Sequence, residues 1–161
     1  MPRIPERNGR YRTKQEVCED ISTVLNLPLR WGTQYAVLAD ACWVWSEFDG
    51  KYDGCAYWSR KAWAARDSRK HLRHDHVVPK QLIVQELKAI RGKATPKRVR
   101  QVLAKWCVGA VITIDEDRRL TKLGLRARMP DDWNGIDSWA RYTLARIALR
   151  KPNGHGREQF R

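Results

Sequence analysis

The chain has four cysteines, and none of them forms a Cys-x-x-Cys pair, so a zinc ribbon is not encoded. Cys18 and Cys107 fall in apolar-periodic segments where core packing accounts for them. Cys42 and Cys55 flank a turn-rich stretch and lack the paired spacing that a metal shared with His71 or His74 needs. No apolar run is long enough to cross a bilayer, and no lipidation motif or secretory leader is recognisable. A membrane partner is therefore not expected, and a cytoplasmic chain with reduced thiols is. There is no internal repeat and no low-complexity segment, which excludes a solenoid. Acidic residues are scarce: 18 Asp and Glu stand against 32 Lys and Arg, a net charge of +14.

What is present fits one domain, since 161 residues can bury a core without disulfides or a structural metal. The basic excess points to a polyanionic partner, DNA first and RNA second. Part of that charge sits at the two ends. Residues 1–12 carry four Arg against one Glu, and residues 150–161 carry three Arg and one Lys against one Glu. Both stretches lack an apolar pattern and are read as basic flexible tails.

Helical periodicity opens after Thr13, which with Glu16 makes a capping box before Val17, Ile21, Val24 and Leu25; this predicts a helix over about 14–25. The run 34–45 is buried but of open type, because its alanines favour helix and Cys42-Trp43-Val44-Trp45 favours strand. Asp49-Gly50 and Asp53-Gly54 place a hairpin or loop over 46–55. Residues 57–70 interleave Trp58 and Trp63 with Arg60, Lys61, Arg66, Arg69 and Lys70, a mixture that suits stacking on splayed bases, packing beside a phosphate groove, or a plain helix with Trp inward and Arg outward; core packing is the better account of the rings, and the cations remain phosphate candidates. A short helix follows through Leu82 and Ile90, and another begins at Thr95 with Pro96 in its first turn. The latter sets Val99, Val102, Leu103 and Trp106 on one face and Lys97, Arg98, Arg100 and Lys105 on the other. Cys107–Ile114 is β-rich, and Thr113 with Glu116 caps a further helix. The last helix is expected over 137–149, with Trp139, Ala140, Leu144 and Ile147 inward and Arg141, Arg146 and Arg150 outward.

The segment of greatest chemical interest is His74-Asp75-His76-Val77-Val78-Pro79-Lys80, and three of the four histidines lie between positions 71 and 76. An Asp and a His adjacent on a strand point to opposite faces, yet at a strand end that is about to turn they can converge on one ion and one water. Pro79 marks such an end. The run resembles the first motif of HNH, or ββα-metal (His-Me finger), endonucleases. The resemblance implies a ββα core over about 71–123, with a helical insertion at 81–106 and a helix opening on Asp115-Glu116-Asp117. It implies Asp75 and Asp117, with Glu116 as substitute, as ligands of one Mg²⁺ or Mn²⁺. His76 would be the general base, and Arg73 a donor to the phosphate. The chain departs from that pattern at Asp117, where a His or Asn is expected, and acidic residues in a first turn also suit the helix dipole with no metal.

The expected fold is thus α+β, mainly helical around a small ββα core. The expected function is divalent-metal-dependent hydrolysis of DNA by a bacterial or phage-encoded enzyme, with Arg60, Lys61, Arg66, Arg69, Lys70, Lys80, Lys97, Arg98 and Arg100 holding the nucleic acid. Two alternatives stand beside it: a non-catalytic nucleic-acid binder, and a small interaction protein that inhibits a nuclease or another acidic partner. A homodimer is compatible with each, since many nucleases cut two strands as dimers.

Overall fold

The structure is a computed structural model that describes residues 11–151, so most of both basic tails lies outside the described residues. The chain is mixed α and β, with helices packed around a small four-stranded sheet. Helix α1 (Lys14–Asn26) starts at the capping box of Thr13 and Glu16 and buries Val17, Cys18, Ile21 and Leu25. Helix α2 (Trp31–Ser46) resolves the ambiguous run as helix. It is apolar on several sides because it packs against both α1 and α4 (Lys80–Lys88). Gln34, fully buried on α2, donates from Nε2 to the carbonyls of Val24 (2.7 Å) and Leu27 (3.1 Å), satisfying backbone groups at the end of α1. Helix α5 (Pro96–Trp106) is capped by Thr95 as expected and turns Val99, Leu103 and Trp106 into the same core.

The sheet follows the order β2-β3-β1-β4. Strand β2 (Leu72–His76) runs antiparallel to β3 (Gly109–Thr113) in a register that pairs Leu72 with Thr113 and His76 with Gly109. Strand β1 (Tyr57–Ser59) is parallel to β3 and antiparallel to β4 (Leu149–Arg150). Helix α6 (Ile114–Lys122) leaves β3 through the capping box of Thr113 and Glu116 and packs on β2 and β3. The helical insertion between β2 and β3 is α4 with α5, which contribute to the helical core, while the two strands pair along their whole length.

Two expectations are corrected. Residues 57–70 form not one helix but β1, a short α3 (Arg60–Ala64) capped by Ser59, and a single 3-10 turn at Arg69–His71. Pairing with β3 and β4 outweighs the helical reading at Tyr57–Ser59. The last helix shrinks to α7 (Ala140–Leu144), after which Arg146 takes a left-handed φ of 53° and the chain turns back into β4. Two of the predicted positions reverse with it, since Arg141 is buried and Leu144 is 56% exposed, while Ile147 is buried and Arg146 and Arg150 are exposed as expected. Five helical residues ending in a turn do not sustain the periodicity on which the inward and outward assignment rested.

Candidate functional site

The alternation of β2 decides how the motif residues are distributed. Because pairing continues through His76 and the Val77 amide still donates to the Val108 carbonyl (2.9 Å), the strand has not turned when it reaches the Asp-His pair. Arg73 and Asp75 therefore share one face, and Leu72, His74 and His76 share the other. The expected convergence of Asp75 and His76 does not occur.

His76 is buried against α2. Its Nε2 lies 3.0 Å from Ser46 Oγ and 3.3 Å from the Cys42 carbonyl, with the Trp43 ring 4.3 Å away between centroids. A carbonyl only accepts, so Nε2 carries the ring proton. Burial, with the neighbouring His74 second, pushes the His76 pKa down to about 3. A general base works best with a pKa near the working pH, and His76 is far below it. His74 lies beside it, with Nδ1 at 3.0 Å from Glu47 Oε1 and Nε2 buried without a partner. Burial lowers the His74 pKa against the raising influence of Glu47. Gly109 makes room for this ring, since a Cβ there would stand 2.5 Å from His74 Nε2 and 3.2 Å from Cys55 Sγ.

On the opposite face Asp75 meets two residues that helical periodicity had turned outward or left unassigned. Arg141 donates from a terminal nitrogen to Asp75 Oδ2 and to the His76 carbonyl, from Nε to the Val77 carbonyl (2.8 Å) and from its other terminal nitrogen to Leu125 (2.8 Å). The Tyr142 hydroxyl donates to the same Asp75 oxygen at 2.5 Å. Burial raises the Asp75 pKa, the Arg141 guanidinium and Tyr142 oppose that, and Asp117 is close enough for its charge to raise it further. The Tyr142 hydroxyl is pushed well up by burial and by Asp75.

The remaining acidic candidates divide in the same way. Glu116 is buried, its Oε2 accepting from Ser59 Oγ (2.6 Å), the Thr113 amide (2.9 Å) and Thr113 Oγ1 (3.1 Å). It is the partner of the N-cap Thr113 in the capping box of α6. Asp117 is half-buried in the first turn of α6. A divalent cation needs several free oxygens, and Asp75 Oδ2 and Glu116 Oε2 are already engaged. Among the described residues no group of three or more His, Cys, Asp or Glu is placed to hold a metal.

The basic candidates are at the surface. Arg60, Lys61, Arg66, Arg69, Lys70 and Arg73 are exposed around α3, the 3-10 turn and β2, and Lys97, Arg98 and Arg100 are exposed on α5. Lys80 is half-buried, with its ammonium 5.3 Å from the Trp43 ring centroid. Arg69 pairs with Asp53 at 2.9 Å, and Arg73 donates to the Leu72 carbonyl at 3.0 Å. Strand β4 adds Arg150, whose guanidinium sits 5.0 Å from the Trp63 ring centroid, the same distance as that of Arg66.

Sequence reasoning missed Arg141, Tyr142, Glu47 and Ser46. Arg141 is one of 32 Lys and Arg residues in the chain, those among the described residues are mostly exposed, and nothing in its neighbours marks it as the exception. The available signal was Asp75 itself, a carboxylate just before the apolar Val77-Val78 that needs a counter-charge once buried. Family models, curated proteins and solved structures give no match to the chain.

Proposed function

We propose that this protein binds nucleic acid through its phosphates and that the Asp75 cluster is structural rather than hydrolytic. The observation that supports this best is the pair of guanidinium groups, Arg66 and Arg150, held at 5.0 Å over Trp63 beside the exposed Arg60 and Lys61 of α3. Arg66 is fixed further by donating to the Trp63 carbonyl at 3.0 Å. Guanidinium groups so placed keep N–H edges for phosphate oxygens, the chemistry Arg performs best. The net charge of +14 supplies the long-range attraction.

A metal-dependent endonuclease of HNH type is the second reading. It is supported by the β2-β3-α6 order and by the nearness of Asp117 to Asp75. Against it stand the buried, weakly basic His76 and the engagement of Asp75 by Arg141. One pair of measurements separates the readings. Fluorescence anisotropy of the full chain with labelled DNA should show binding whose logarithmic affinity falls linearly with log salt. Supercoiled plasmid incubated with Mg²⁺, Mn²⁺ or EDTA should stay intact in all three. Metal-dependent nicking would overturn the proposal in favour of the enzyme. Absence of both binding and nicking would leave an acidic protein as the partner.

A further inference from the structure

We infer that the nucleic acid taken by the face around Trp63 is duplex DNA rather than single-stranded, an inference that rests on the phosphate-binding reading above. Proteins that hold single strands combine a basic groove with aromatic faces on which unpaired bases stack. Among the described residues no aromatic side chain is fully exposed, and the partly buried Trp63, Tyr57 and Tyr52 each have a cation of the protein beside the ring. Trp63 carries the Arg66 and Arg150 guanidinium groups, and Trp58 meets it edge-on at 5.5 Å. Tyr57 carries the Lys151 ammonium at 5.4 Å and meets Trp139 at 4.7 Å. Tyr52 lies 5.9 Å from the Arg69 guanidinium.

A base stacking on these rings would compete with the protein's own cations, at the cost of a cation–π interaction and a phosphate donor. A duplex makes the opposite demand. Its bases are stacked inside, and its backbone rewards donors held at fixed positions. A guanidinium held over a ring has given up much of its freedom before the partner arrives, so less is lost on binding. The fold fixes this arrangement from two directions. β4 sets Arg150 opposite Trp58 in register, and the Arg60 amide donates to the Ala148 carbonyl at 3.1 Å.

The test titrates the full chain against a labelled mixed-sequence duplex and against each of its separated strands, at the same salt concentration. The duplex should bind about tenfold tighter or more, because backbone binding is retained and no stacking platform favours the strands. Trp63→Ala, which frees Arg66 and Arg150, should weaken duplex binding severalfold, with Trp63→Phe retaining most of it. Should Trp63→Ala lose its native circular dichroism, Arg66→Gln/Arg150→Gln, which removes the cations and leaves the ring, should weaken duplex binding and narrow the preference for duplex over strands, and an unchanged preference would overturn the inference. Strands that bind as tightly as the duplex, or a Trp63→Ala effect confined to the strands, would overturn the inference while leaving phosphate binding in place. If neither form binds, the phosphate-binding reading itself fails and this inference falls with it.

Discussion

Arg141, on α7, closes on Asp75, on β2, across 66 residues of sequence, and the same guanidinium holds the carbonyls of His76, Val77 and Leu125. The Arg141 side chain is 1% exposed and that of Asp75 22%, so the pair is buried on one side and half-open on the other. Removing the cation leaves three carbonyls and a carboxylate short of a donor. Arg141→Met should cost about 3–5 kcal/mol, toward the lower end because Asp75 can still reach water. Asp75→Asn keeps an acceptor oxygen for Arg141 and Tyr142 and should cost less. Urea unfolding of both variants checks the order, and an Arg141→Met protein as stable as the parent would show that the clamp does not hold α7 to the sheet.

The His76 imidazole gives stability a definite pH dependence. Its folded pKa is about 3 against an unfolded value near 6.5, so the unfolded state binds the extra proton first. The contribution is present above about pH 6.5 and is lost as pH falls toward about 3, reaching roughly 5 kcal/mol over the full window. His74, lowered in the same direction, adds to the slope. His76→Gln should therefore flatten the dependence of the unfolding midpoint between about pH 6.5 and 4. An unchanged slope would mean that His76 is not buried in its neutral form.

Much of the helical frame is legible in the sequence because capping is local: Thr13 with Glu16, Thr95 with Pro96, and Thr113 with Glu116 each mark a helix start where one occurs. The strand containing the Asp-His pair is legible from the same kind of local pattern. Its chemistry is not. Whether Asp75 and His76 converge depends on how far β2 pairs with β3, and the register is set by residues more than thirty positions away. Arg141 is illegible for the related reason that its partner is on a distant strand, while the local periodicity around it points the wrong way.

Gly109 and His74 are matched in size across the β2–β3 pair. A Cβ at 109 would lie 2.5 Å from His74 Nε2 and 3.2 Å from Cys55 Sγ, both in a packed region. Gly109→Ala should destabilise by about 1–3 kcal/mol through overpacking. Combining it with His74→Ala, which removes the ring, should cost less than the two changes added, and a double-mutant cycle on unfolding free energies measures the coupling. Strict additivity would place the strain elsewhere.

The two basic surfaces, one around α3 and β4 and one on α5, should not contribute equally to binding. On α5 Arg98 donates to the Lys93 carbonyl at 3.1 Å and Arg100 to Gln15 Oε1 at 3.2 Å, single contacts of the kind that Arg66 makes with the Trp63 carbonyl. Around α3 the cations include two guanidinium groups held over one ring, with further exposed neighbours on the same short helix. Arg60→Glu/Lys61→Glu/Arg66→Glu should lower DNA affinity and reduce the log–log salt slope by roughly 0.9 for each phosphate that is no longer neutralised. Lys97→Glu/Arg98→Glu/Arg100→Glu changes the net charge by the same amount and should move affinity through long-range attraction, with a smaller change in slope. Anisotropy titrations at several salt concentrations compare the two sets directly. If the α5 variant shows the larger drop in slope, the phosphate-binding face lies on the helical half of the protein, and the guanidinium pair over Trp63 is a packing feature of the sheet edge.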